Sequence, residues 1–239
     1  MLWKDTGIEE DIKEATTMAK YMIHTMPKRK WYVDDYLIPS MLEQGINPAS
    51  ISVYCDEKQE GNLRACMNAF ILCENKPDGT WHLQDDVILC HNFREMTEKY
   101  DEGIVCGFKS KYDGINNERP VGKVPVDKMW FSFPCIRIPN DIASNCGNWV
   151  LKYMIDNPVY KKWTEKGVND DLLFRQYVLE NHKDMEALNL APNLVDHIDY
   201  LIGGTVNSNA RITIIRSALW EDEYLVKELE QKLKTNSRK

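Results

Sequence analysis

The stretch "WHLQDDVIL", residues 81–89, poses the question on which the fold turns. Trp81, Leu83 and then Val87-Ile88-Leu89 read as one buried β-strand, yet the run passes through Asp85 and Asp86. A buried carboxylate is costly unless a cation or hydrogen-bond donors compensate it, and two adjacent ones more so. A divalent cation resolves that cost. Successive strand side chains point to opposite faces, so the two acids cannot both ligate from a regular strand. Either the strand ends there or one acid has another role; a simpler alternative is that it ends at Gln84 and both acids cap the following turn. The expected division is that Asp86 ligates Mg²⁺ or Mn²⁺, hard cations that take oxygen ligands and bridge phosphates, while Asp85 meets a ribose or the sugar.

Upstream, "AKYMIHTM" (19–26) is an apolar run closed by Pro27 and suits a first strand. Residues 30–46 recur with helical spacing, with Gly45 placed to stop the helix and Pro39 to kink or divide it. "ISVYC" (51–55) is a second strand, 62–74 a second helix, and Pro77-Asp78-Gly79 a turn. Strand, helix, strand, helix, strand predicts an α/β protein with a mostly parallel, Rossmann-like central sheet flanked by helices. Ligands of such sheets sit beyond the carboxyl ends of the strands, where His24 to Pro27, Asp56 and Asp85-Asp86 converge.

Further along, 103–108 and 128–138 read as strands, 141–156 and 170–181 as helices, and 191–198 as a loop entering a short strand. A strand is expected over 210–217 and a C-terminal helix from Trp220, with Leu225, Leu229 and Leu233 on one face. The polar stretch 109–127 is too long for a plain connection. With no repeat or linker, one domain is expected: a ligand-binding half over 19–93, a second half over 94–219, and a helical tail over 220–239.

The formal net charge of −7 gives no global attraction to nucleic acid or anionic lipid. The seven cysteines contain no CxxC pair and several lie in apolar runs, as reduced thiols do. No apolar run approaches the roughly 20 residues of a membrane span, and the start lacks the pattern of a signal peptide. A soluble cytoplasmic protein is therefore expected.

The series "HTMPKR" (24–29), "ISVYCDEKQEGNLRACMNAF" (51–70) and "WHLQDDVILCHNF" (81–93) resembles nucleotide-sugar-dependent glycosyltransferases of the A-type fold. It is most similar to small glycosyltransferase-like proteins of bacteriophages, and more distantly to the lipopolysaccharide and procollagen galactosyltransferases, whose metal motif reads EDD. The resemblance implies that Thr25, Pro27 and Arg29 hold the nucleotide, that Asp56 contacts base or ribose, and that Asn62, Arg64 and Asn68 lie against the nucleotide. It also implies that Asp85 binds ribose and Asp86 the metal. Gln84 stands where the distant relatives carry a first acid. Arg29 also has a case of its own, since a guanidinium forks onto phosphate oxygens.

In "GVNDDLLFRQYV" (167–178), Asn169 suits an N-cap, and Asp170 and Asp171 suit a first helical turn. The resemblance further implies that Asp171, supported by Asp170, takes the acceptor's proton as a general base if the enzyme inverts the anomeric centre, and has another role if it retains. A late histidine, His197 in "PNLVDHI", is implied as a third metal ligand; imidazole suits Mn²⁺ better than Mg²⁺. His24, His82, His91 and His182 gain no such support.

The 109–127 loop, basic through Lys109, Lys111, Arg119 and Lys123, would choose the acceptor, with Trp130 and Trp149 as stacking surfaces. That basic character suits a phosphate-bearing acceptor, and the resemblance implies a hydroxymethylated pyrimidine in phage DNA or a glycan as acceptor, a UDP-sugar as donor and the host cytoplasm as location. The rival readings are a metal-dependent nucleotidyltransferase, for which neither a second acid pair nor a glycine-rich phosphate loop is found, and a non-catalytic nucleotide-sugar-binding module.

Overall fold

The computed structural model describes residues 20–74, 78–108, 121–154, 157–158, 170–198, 202 and 231. The strand expected over 210–217, the helix expected from Trp220, Asn169 and most of the 109–127 loop lie outside them.

Through its first three strands the chain alternates strand and helix as its apolar spacing predicts. β1 (Lys20–Thr25) and β2 (Ile51–Cys55) pair in parallel, and β1 pairs in parallel with β3 (Gly79–Gln84) on its other side. The sheet continues through β7 (Cys135–Pro139), β5 (Ile104–Cys106), β8 (Glu186–Asn189) and β6 (Gly122–Pro125), in the order β2-β1-β3-β7-β5-β8-β6. β7 is antiparallel to β3 and β5, and β6 is antiparallel to β8. Five of the seven strands therefore share one direction, but the pairings divide evenly between parallel and antiparallel. The sheet is mixed.

Period-two alternation sends the two faces of this sheet into separate cores. Tyr21, Ile23, Trp81, Leu83 and Val105 pack under the first helix, with Tyr32, Val33, Leu37 and Met41. Ile104, Cys106, Ile136 and Ile138 pack on the opposite face against the Asn62–Ile71, Asn140–Trp149 and Asp170–Asn181 helices, through Leu63, Phe70, Ala143 and Phe174. At Gly147 a Cβ would stand 2.7 Å from the Met67 carbonyl oxygen, so the absence of a side chain lets two of these helices touch. All seven cysteines are free thiols and six are buried.

The first helix runs as Lys30–Tyr32, a π-wound Val33–Leu37, and Ile38–Glu43. Its wide turn falls just ahead of Pro39, whose ring would crowd the carbonyl four residues back in a regular helix. Gly45, at φ +76°, ends it: its N–H bonds the Leu42 carbonyl while that of Ile46 reaches the Met41 carbonyl, the double closure that a left-handed residue permits.

Several expectations shift. The run 81–89 is two strands: β3 stops at Gln84, Asp85 and Asp86 occupy a bend, and β4 (Val87–Leu89) leaves the main sheet. β4 pairs antiparallel with β9 (Val195–His197), forming a separate two-stranded sheet that packs into the first core. Of the strand expected over 128–138 only Cys135–Pro139 forms. Phe131 and Phe133 instead turn onto Phe174, with ring centroids 4.9 and 5.5 Å away, ahead of Pro134, which has no N–H for a ladder. β6 and β8 are strands the apolar pattern did not announce. Among the described residues no helix is long and apolar enough to cross a membrane.

Candidate functional site

Because β1, β2 and β3 run in parallel, their carboxyl ends share one edge of the sheet, and the chain places polar residues there one after another. Thr25 closes β1, Asp56 follows β2, and Asp85 and Asp86 follow β3. The Asp56 N–H donates to the Thr25 carbonyl at 2.8 Å, continuing the β1–β2 ladder past its last pair.

Both acids of the bend are buried, at 6% and 5% exposure. Thr25 Oγ1 donates to Asp85 Oδ2 at 2.8 Å. Arg29, itself buried just before the first helix, places Nη1 2.9 Å from Asp85 Oδ1 and 2.9 Å from Asp86 Oδ2. His197 Nε2 lies 3.1 Å from the same Asp86 oxygen. β4 and β9 bring it there: Val87 pairs with His197, and the Ile198 N–H donates to the Asp86 carbonyl at 2.8 Å. Underneath, the buried Tyr32 hydroxyl donates to the Val87 carbonyl at 2.8 Å.

The electrostatics are uneven. Burial, and next the charge on Asp86, push the Asp85 carboxyl above its ordinary range against Arg29 and Thr25. Burial acts upward on Asp86 as well, but the His197 imidazole and the Arg29 guanidinium outweigh it and hold that carboxyl well below the usual range. One guanidinium thus faces two carboxylates, and the imidazole reinforces it on Asp86 alone. Asp86 Oδ1 is buried with no partner among the described residues. Buried acceptors are nearly always satisfied, so this oxygen marks a place for a ligand.

A divalent cation fits Asp86 Oδ1 and the His197 imidazole by donor chemistry, a carboxylate oxygen with an imidazole nitrogen. Among the described residues no three His, Cys, Asp or Glu side chains form a ready-made cage. Asp85 is turned to Thr25 and Arg29 instead, so a bound ion would take its other ligands from phosphate oxygens and water.

A second pair lies across the helix-covered face. Asn62, opening the Asn62–Ile71 helix, donates through Nδ2 to Asp170 Oδ2 at 2.9 Å, while the neighbouring Gly61 N–H reaches Asp56 Oδ2 at 3.2 Å. Asp170 is buried at the start of its helix, and burial pushes its carboxyl up to about 6. Asp171 is half-buried and accepts from the Leu172 N–H at 2.8 Å.

Of the residues singled out from sequence, Thr25, Arg29, Asp85, Asp86 and His197 form one cluster. Asp56, Asn62 and Asp170 extend along the same edge. Asn68 is engaged instead with the Tyr54 hydroxyl at 3.0 Å. Among the described residues no hydrogen bond ties Pro27, Arg64 or the Gln84 side chain to the carboxylates; Pro27 is exposed and the other two half-buried. Trp130 is exposed, with the Arg175 guanidinium 5.0 Å from its ring centre, but Trp149 packs against Tyr177 at 5.6 Å and is only half-buried. His24 lies on the converging edge but has no support as a metal ligand. It is buried on β1, both ring nitrogens lack partners among the described residues, and burial, more than any nearby charge, lowers its pKa and keeps it neutral. A polar residue next to the strand's last position was the available signal.

Fold and cluster together define an α/β protein with a buried acid pair, contacted by Arg29 and His197, at the carboxyl edge of its sheet. No protein-family model and no curated protein matches the chain.

Proposed function

We propose that the chain is a metal-dependent glycosyltransferase of the A-type fold, moving a sugar from a nucleotide-diphosphate sugar, a UDP-sugar by preference, to an acceptor hydroxyl on a glycan or on a hydroxymethylated pyrimidine of DNA. The observation that carries this reading is Asp86: buried, held ionised by Arg29 and His197, with one oxygen unpartnered among the described residues. Asp86 and His197 would hold Mn²⁺ or Mg²⁺, which supplies positive charge to the leaving diphosphate. Arg29 shares that task by forking onto phosphate oxygens. Asp85, kept in place by Thr25, is the partner for a ribose or sugar hydroxyl, and Asp56 lines the same edge.

In the reaction the acceptor oxygen bonds to the sugar's C1 as the bond from C1 to the diphosphate oxygen breaks. The nucleoside diphosphate departs with that electron pair, and the acceptor's proton passes to a carboxylate. Asp171, the more accessible of the pair, is the proposed base; Asp170, fixed by Asn62, supports it.

A thermal-shift panel of sugar nucleotides with and without Mn²⁺ tests the reading, since a ligand bound only by the folded state raises Tm. One UDP-sugar is expected to raise Tm only with Mn²⁺, and D86N to abolish that rise while leaving the fold intact. A panel with no metal-dependent shift would overturn it.

A further inference from the structure

The acid pair draws compensation from within the chain. Arg29 Nη1 bridges Asp85 Oδ1 and Asp86 Oδ2 at 2.9 Å each. The imidazole nitrogen that would ligate a metal, His197 Nε2, is spent on that same Asp86 oxygen at 3.1 Å. A divalent ion bound between Asp86 and His197 must therefore break the contact between them and settle beside a guanidinium already touching the same carboxylate. Two cations sharing a buried carboxylate repel one another across a medium far less screening than water. The guanidinium cannot leave without a new anion, because it too is buried, with its side chain 8% exposed.

We propose that Arg29 is the site's resident counter-ion: it occupies the acid pair until a divalent cation and a diphosphate arrive together, the cation taking Asp86 and the diphosphate taking Arg29. This inference rests on the donor and cation reading of the site given above. It assigns Arg29 a second role beyond phosphate contact, that of holding the site shut to a cation alone. The diphosphate offers the fork-shaped guanidinium two oxygens in place of the carboxylates, so each ligand removes the obstacle to the other. The coupling is reciprocal: whatever factor the diphosphate adds to cation affinity, the cation adds to diphosphate affinity.

The test measures Mn²⁺ binding to the whole chain by electron paramagnetic resonance, without nucleotide and with saturating UDP. R29Q, which keeps polarity but removes the charge, is expected to bind Mn²⁺ alone about tenfold more tightly than wild type, within the usual range of coupling between sites. R29K keeps the charge and should stay close to wild type. Adding D86N to R29Q should abolish the gain, placing the ion at Asp86. Thermal unfolding covers the chance that R29Q needs the ion to fold: a Tm lowered without Mn²⁺ and restored by it supports the exchange, and a lowered Tm that Mn²⁺ does not restore overturns it. If wild type binds Mn²⁺ with UDP but R29Q binds Mn²⁺ alone no more tightly, the counter-ion role falls and the donor reading stands. If wild type fails to bind Mn²⁺ even with UDP, the cation reading falls as well.

Discussion

Replacing Asp170 with asparagine should make the protein more stable at neutral pH. Asp170 is buried, and burial pushes its carboxyl from the ordinary 3.8 to about 6. The folded-state value lies above the unfolded one, so between about pH 4 and 6 the unfolded chain holds fewer protons, and stability falls as pH rises through that window. A difference of about two pH units, at about 1.4 kcal/mol each, makes the ionised group cost about 3 kcal/mol above pH 6. D170N keeps an oxygen for the 2.9 Å hydrogen bond from Asn62 but brings an amide N–H₂ that needs partners, at about 1 kcal/mol. The net gain at pH 8 is then about 2 kcal/mol, or about 4–8 °C in Tm for a chain of this size. At pH 5 the wild-type group is largely protonated in the folded state, and the cost is about half its full value. Urea unfolding followed by tryptophan fluorescence at pH 5 and pH 8 reads both numbers. A variant less stable than wild type at pH 8, or a difference that ignores pH, would refute the reasoning.

T25V removes the 2.8 Å hydrogen bond from Thr25 to Asp85 while preserving strand shape; it should lower stability by about 1–3 kcal/mol in urea unfolding, and a neutral result would mean Arg29 alone satisfies that carboxylate. G147A drives a Cβ to 2.7 Å from the Met67 carbonyl oxygen, and because that oxygen is backbone the helices must part, at about 1–3 kcal/mol measured the same way. F174A opens a cavity among Phe70, Phe131 and Phe133, whose ring centres lie 5.9, 4.9 and 5.5 Å away. It should cost about 3–5 kcal/mol, visible as a Tm drop of about 6 °C or more.

Local signals carried well where the residues obey a single period. Ile51–Cys55 and Asp170–Asn181 form where apolar spacing and first-turn acids predict them, and the Gly45 stop falls where the helical pattern ends. The convergence of Thr25, Asp56 and the acid pair also followed from sequence, since parallel strands must end on one edge. Partner choice did not follow. Val87-Ile88-Leu89 is as apolar as the strand before it, and only pairing with Val195–His197, over a hundred residues on, takes it out of the main sheet. β6 carries two prolineless residues between Gly122 and Pro125, and β8 is four residues long, so neither shows a periodic run. The bond from Asn62 to Asp170 spans 108 positions and has no local signature.

The small β4–β9 ladder has a consequence for how the protein matures. It staples the backbone from Asp86 onward to the backbone around His197, so no amino-terminal piece of the chain can own the site. While the protein is being synthesised, the three parallel strands can assemble early, but their carboxyl edge stays unfinished until residue 198 has emerged from the ribosome. A nascent chain stalled before that point would carry the acid pair and Arg29 without the imidazole.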